Sequence, residues 1–188
     1  MATNPHIKFS YEDYKSLPFS EEKQYELLGG EIIMVPSPRP RHQIISSALE
    51  FELRQFVKER ELGTVLHAPL DVVLGEGDER DVAQPDILYI STDRVDIIQA
   101  DEIRGAPDLV IEITSPSTEK YDRGYKRSLY TRSGVREYWI VDPDTETIEV
   151  LSLTEMGYER FGKFDRTDTL TSSLLAELEI PLADVFDA

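Results

Sequence analysis

In residues 108–114, DLVIEIT, the polar side chains Asp108, Glu112 and Thr114 fall an even number of positions apart in an otherwise apolar run. Period-two alternation marks a β-strand, because successive side chains point to opposite faces. It puts Asp108, Val110, Glu112 and Thr114 on one face, and Leu109, Ile111 and Ile113 on the other. TVLHAPLDVVL (64–74), DILYI (86–90) and VREYWIVD (135–142) read as further strands, with Tyr138 and Trp139 as packing residues. YELLGGEIIMV (25–35) reads as a hairpin turning at Gly29-Gly30. Ile44, Ile45, Ala48, Leu49, Phe56 and Val57 fall at helical spacing and predict a helix over about 41–61, closed by Gly63. Tyr121, Tyr125 and Leu129 step by four and predict a helix over 118–133, ended by Gly134. Ser10, with Asp13 three residues on, predicts a capping box for a short helix reaching Leu17. GEGDERD (75–81) reads as an exposed polar turn. ETIEVLSL and YERFGKF read as an antiparallel hairpin or meander after a turn at Asp142-Pro143, and the tail mixes a short amphipathic segment with a proline break. The sum is α/β or α+β around a mixed sheet, not a doubly wound parallel fold.

A chain of 188 residues is expected to form one domain, 1–188, with enough core to need no staples. It contains no cysteine, which excludes disulfides and thiolate metal sites and fits a cytoplasmic protein. No stretch approaches the roughly 20 apolar residues of a spanning helix. The opening MATNPHIKFS has no apolar signal core, so neither membrane insertion nor export is expected. Net charge is −17. That opposes a global nucleic-acid footprint, which is built by neutralising phosphates with Lys and Arg. Residues 117–136 run against the trend, with a local excess of four positive charges. A solvated helix face would account for such a window equally well.

Glu112 lies mid-strand among apolar neighbours. An unpaired charge there would cost several kcal/mol if the face is buried, so a partner or a metal is implied. A polar face meeting water is the alternative. Asp86 follows Pro85 at the head of another core strand, where a turn would also explain it. If the two strands are neighbours, the two carboxylates converge. Such a pair suits a hard cation such as Mg²⁺ or Mn²⁺, which could polarise a phosphodiester and prepare a hydroxide. Phosphoryl chemistry also needs a cation near the attacked phosphate. Many nucleases place a lysine two residues after the glutamate, but here that position is Thr114. Lys126 falls on the next helix and shares a face with Asp122 and Tyr130, so it could reach the vacant position. An ordinary surface Asp–Lys pair is the alternative.

The runs YELLGGEIIMVPSPRPRHQ, QPDILYI, GAPDLVIEITSPST, DRGYKRSLY and GVREYWIVDP resemble the Uma2-type family of restriction endonucleases in the PD-(D/E)XK nuclease superfamily. The resemblance covers about 25–143, leaving 144–188 as extra strands and tail. It implies a restriction-endonuclease-like fold, a mixed central sheet with helices on both sides. It implies Asp86 and Glu112 as metal ligands, with the backbone carbonyl of Ile113 as a third. Lys126 takes the place of the strand lysine. Glu31 and His42, in the matching GE and RHQ elements, are implied as further catalytic residues. Asp108 shares a strand with Glu112, so it is expected beside the site, with Thr114, rather than as a ligand.

Two functions follow from these residues. The first is a Mg²⁺- or Mn²⁺-dependent nuclease, most simply a DNA endonuclease, for which a homodimer would suit cleavage of both strands. The second is a catalytically inactive nuclease-fold binding or regulatory module, motivated by the charge of −17 and the missing strand lysine. A small-substrate hydrolase using the acidic pair as acid and base is a third.

Overall fold

The computed structural model describes residues 8–18 and 24–188. Helix α1 (Tyr11–Lys15) opens on the expected capping box, with the Asp13 carboxylate accepting the Ser10 N–H at 2.8 Å. It stops two residues short of Leu17. β1 (Gln24–Leu28) and β2 (Glu31–Val35) form the expected hairpin around Gly29 and Gly30, at φ 63° and 82°, a region glycine enters freely. α2 (Pro40–Glu59) buries Ile45, Leu49, Leu53, Phe56 and Val57, one apolar stripe at helical spacing. Gly63 does not close α2. It opens β3 (Gly63–His67), where a side chain would collide with the Ile90 carbonyl.

The strand expected over 64–74 is two strands, β3 and β4 (Val72–Leu74), in different sheets. Pro69 lies in the break and has no amide hydrogen to give to a ladder. β5 (Asp81–Ala83) uses the end of the segment expected to be an exposed turn, and Asp81 is buried. β6 (Ile87–Ser91), β7 (Ile103–Arg104) and β8 (Leu109–Ile113) follow. The helix predicted over 118–133 consists of α3 (Glu119–Tyr121), a π turn (Asp122–Lys126) and α4 (Arg127–Ser133), ended by Gly134 at φ 85°. β9 (Glu137–Asp142), β10 (Thr147–Thr154) and β11 (Gly157–Asp165) form a meander. β12 (Thr169–Thr171), β13 (Glu179–Pro181) and α5 (Leu182–Phe186) make up the tail.

The central sheet runs β11-β10-β9-β8-β6-β3. β8 and β9 are parallel and the other neighbours antiparallel, so the sheet is mixed, as expected. Its two faces bury different partners. Leu109, Ile111, Ile113 and Trp139 pack with α2 and α5. Val110, Tyr138 and Ile140 pack with Leu129 and Tyr130 of α4 and with a second sheet, β2-β1-β5-β4-β7. Helices therefore flank the sheet, but the second sheet shares one side with them. It could not be read from the sequence, because β1 meets β5, and β4 meets β7, only through pairings distant along the chain. The tail is tied down by Glu137, which is fully buried. Its carboxylate accepts from Trp139 Nε1 at 2.7 Å, Ser172 Oγ at 2.6 Å and the Ser173 N–H at 2.8 Å. Among the described residues no helix is long and apolar enough to cross a membrane.

Candidate active site

β6 and β8 are antiparallel neighbours, with Ile87 opposite Ile111. Continuing that register by one position sets Asp86 opposite Glu112. The strands expected to bring the two carboxylates together do lie side by side. Asp86 Oδ2 accepts the Ile113 N–H at 2.7 Å and lies 3.2 Å from His42 Nε2. His42 is the third residue of α2, in its first turn, so the helix and both strands meet at Asp86. Burial disfavours a charged His42 ring, but the hydrogen bond and charge of Asp86 outweigh it and raise its pKa above the usual histidine value.

Glu112 is 4% exposed, so its face does not meet water. Its Oε1 accepts from Tyr130 Oη at 2.6 Å and from Lys126 Nζ at 3.0 Å. Lys126 thus reaches Glu112 from the following helix. Thr114 itself is buried and donates its hydroxyl to the Val141 carbonyl at 3.0 Å. The π turn widens one helical turn by a residue and points both Asp122 and Lys126 inward.

Lys126 has two further acidic neighbours. Glu26, from β1, lies 2.9 Å from Nζ, and Asp122 Oδ1 lies at 3.7 Å. Glu26 is held in turn by the Gln84 N–H at 2.7 Å. The cluster therefore holds more carboxylates than cations. Burial works against the Lys126 ammonium, but Glu112, Glu26 and Asp122 together raise its pKa well above the usual lysine value, so it stays charged. Burial also raises Glu112 well above the usual carboxylate range, because Lys126 does not fully offset the surrounding acids. Burial pushes Asp122 up to about 6, against the opposing pull of Lys126. Burial is the largest cause for Glu112 and Asp122, the excess of acid over base adds to it, and the same excess keeps the Lys126 ammonium charged.

These residues line a cleft of about 630 Å³. Ile33, Met34, Tyr121, Arg39 and Arg41 form part of its rim, together with Ser115 to Thr118. In the basic window at 117–136 four of the six cations are paired with acids, and Lys120 and Arg127 stay exposed. Lys126 is buried among acids, Arg132 pairs with Asp81 at 2.7 Å, Arg123 with Glu119 at 3.1 Å, and Arg136 with Asp108 at 3.4 Å.

The structure does not bring every expected residue to the cleft. Glu31 is exposed and does not line it. Register gives the reason: Glu26 pairs with Ile33 and Leu28 with Glu31, which sets Glu31 next to the Gly29-Gly30 turn. The acid that this hairpin sends to Lys126 is Glu26. Its signal was in the sequence, an acid inside the apolar run YELL, the same pattern that singled out Glu112. Asp108 is also displaced from its expected place beside the site. It lies at the other end of β8, four residues or roughly 13 Å from Glu112. There it is fully buried and accepts from the Ser91 N–H at 2.8 Å and from Arg94 at 3.1 Å. These hydrogen bonds overcome burial and hold its carboxyl below the usual range.

Among the described residues no three His, Asp or Glu side chains form a ready-made metal cage. The donor set nonetheless fits a hard cation that keeps water ligands. Such an ion needs only one or two carboxylates. Glu112 Oε2 and Asp86 Oδ1 have no hydrogen-bond partner among the described residues, and the cluster carries surplus negative charge.

The chain is similar to the crystal structure of a putative nuclease belonging to DUF820 from Anabaena variabilis, with 24% identity, 95% of this chain and 98% of that one covered, and a TM-score of 0.78. That likeness establishes a nuclease-type fold. The chain belongs to the Uma2 family, described as "Putative restriction endonuclease", which matches residues 11–183. Membership in that family supports a nuclease. No curated protein matches the chain.

Proposed function

We propose that this chain is a Mg²⁺- or Mn²⁺-dependent endonuclease acting on DNA. What carries the reading is Lys126, which comes from the following helix to within 3.0 Å of Glu112. Asp86 and Glu112, with the Ile113 carbonyl, would hold the ion. When bound, it would polarise the scissile phosphate and lower the pKa of a bound water.

The remaining roles fall to this chain's own side chains. The Lys126 ammonium supplies positive charge where negative charge develops on the phosphate oxygens. Glu26 and Tyr130 hold the Lys126–Glu112 pair in one arrangement. His42 orients Asp86 from α2 and, when protonated, adds a second positive charge at the cleft. Arg39 and Arg41 at the start of α2 are placed to take phosphates flanking the scissile one. A homodimer would present two such clefts to the two strands of a duplex.

The test is nicking of supercoiled plasmid with Mg²⁺ or Mn²⁺. Glu112→Gln and Lys126→Met should each lower the rate by at least about 100-fold, the size of loss that follows removal of one electrostatic group from a transition state. If the wild-type chain cuts no nucleic acid with any divalent ion, the non-catalytic binding module is the better reading.

A further inference from the structure

The lining of the cleft is of two kinds. Glu112 and Lys126 are buried and charged, whereas Pro36, Pro38, Pro69, Pro116 and Tyr121 are exposed and largely apolar. A surface that grips duplex DNA is polar and positively charged, because it works mainly on phosphates. Four prolines and a tyrosine neutralise no phosphate, and what they offer instead is rigid apolar surface. Tyr121 is the exposed aromatic ring among the residues that line the cleft, at 37% exposed. Tyr125 and Tyr130, farther along the same helical stretch, give their hydroxyls to Asp81 at 2.8 Å and to Glu112 at 2.6 Å. Tyr121 is neither buried in the core nor tied to an acid in this way. It ends α3 and directly precedes the π turn, so the backbone holds its ring beside the element that carries Lys126.

We infer that the cleft takes an unpaired nucleotide, its base stacked on the Tyr121 ring and its phosphate turned toward Lys126, so that the substrate is single-stranded or locally opened DNA. The inference rests on the nuclease reading above and narrows its substrate. In a duplex the faces of each base are covered by its neighbours, so a base meets a tyrosine ring only after it leaves the stack. Once free, any base offers a π face, and stacking on an aromatic side chain is tolerant of sequence. The cleft, at about 630 Å³, has the volume of a pocket for one small molecule. Stacking also needs no lysine or arginine. It suits a chain of net charge −17 better than a footprint built on phosphates alone.

The experiment measures binding by fluorescence anisotropy, with Ca²⁺ in place of Mg²⁺, to a labelled DNA strand of about 12 nucleotides and to its duplex. The proteins are the wild type, Tyr121→Ala and Tyr121→Phe, each shown to be folded by circular dichroism. The wild type should hold the single strand at least about 10-fold more tightly than the duplex, since the duplex must first be opened. Tyr121→Ala should weaken single-strand binding by at least about 5-fold, the low end of what one base–aromatic stack contributes, while Tyr121→Phe keeps the ring and the affinity. A 2-aminopurine base in the strand should be quenched by the wild type and by Tyr121→Phe but not by Tyr121→Ala. Equal or tighter binding of the duplex, unchanged binding in Tyr121→Ala, or no binding of either DNA by the wild type overturns the inference. So does a wild-type dimer that Tyr121→Ala dissociates, because the cleft mouth would then receive a second copy of the chain. Plasmid nicking decides the endonuclease reading separately: nicking by a protein that fails these tests leaves that reading intact, and single-strand stacking without nicking leaves only the binding module.

Discussion

Replacing Lys126 by methionine keeps most of the aliphatic stem and deletes the ammonium. The side chains it leaves facing one another are Glu26, Glu112 and Asp122, at 5%, 4% and 1% exposed. The least costly relief is for the folded variant to keep one more carboxylate protonated than the wild type does. For a carboxyl with an ordinary value near 4.3, holding a proton at pH 7 costs roughly 3.5–4 kcal/mol, at about 1.4 kcal/mol per pH step. That agrees with the ~3–5 kcal/mol lost when one member of a buried ion pair is removed. The sign follows from proton binding. The variant's folded state holds a proton that its unfolded state releases above about pH 4.3, so its folded carboxyl value is raised. Its stability therefore falls as pH rises from that point toward the raised value. In the wild type, Lys126 is raised above the usual lysine value, so its contribution persists across neutral pH and is lost only in strongly alkaline solution. The gap between the two proteins should be small near pH 4 and widen by about 1.4 kcal/mol per pH step toward pH 7. Urea unfolding followed by circular dichroism from pH 4.5 to 8 measures it. A gap that is constant with pH, or under about 1 kcal/mol at pH 7, would refute the buried-network account.

Two further substitutions test the other buried acids. Asp108→Asn removes a fully buried charge that accepts from Ser91 and Arg94, and should cost about 1.5–3 kcal/mol at pH 7 by thermal unfolding. Because the Asp108 carboxyl is held below its usual range, its stabilisation is present above about pH 4 and lost as pH falls through the depressed value, so the penalty should shrink in acid, while Mn²⁺ affinity stays unchanged. Glu137→Gln turns one of two accepting oxygens into a donor facing the Ser172, Ser173 and Trp139 donors, and hydrogen exchange should then accelerate over 169–186 before it does in β8 and β9. Equal protection of that tail in variant and wild type would show that Glu137 does not anchor it.

What could be read from the chain was whatever depended on local pattern. Alternation in DLVIEIT separated the two faces of β8, and the same rule made Glu112 and Thr114 neighbours on the charged face. Spacing by four placed Asp122, Lys126 and Tyr130 together, and all three lie around Glu112. What local pattern could not give was the partner brought from far along the chain. Glu26 meets Lys126 only because the β1–β2 hairpin belongs to a second sheet stacked beside the first. Asp81 looked like part of an exposed turn and is instead a buried acceptor for Tyr125 at 2.8 Å and Arg132 at 2.7 Å. The π turn was equally hidden, because the spacing by four of Tyr121, Tyr125 and Leu129 fits an ordinary α-helix and gave no sign of the extra residue. Asp108 was misplaced for a simpler reason. Sharing a face with Glu112 says nothing about distance along the strand, and four residues carry a side chain well beyond contact.

The charge balance has the same two levels. Summed over the chain it is −17, which argues against binding a polyanion, and the window at 117–136 seemed to provide the exception. The structure pairs four of that window's six cations with acids, three of them with buried ones: Lys126 with Glu112, Arg132 with Asp81 and Arg136 with Asp108. Half of the local positive charge in the sequence is thus the counter-charge of buried carboxylates. The cations at the mouth of the cleft are those of the α2 start, and Arg41 there already shares its charge with Glu146 at 2.9 Å. A polyanion approaching this chain meets a net charge of −17 and, within the cleft, an acidic cluster. A divalent ion in that cluster would neutralise the surplus carboxylates and turn the cleft from repelling a phosphate to attracting one. In this fold the same ion would serve both binding and chemistry.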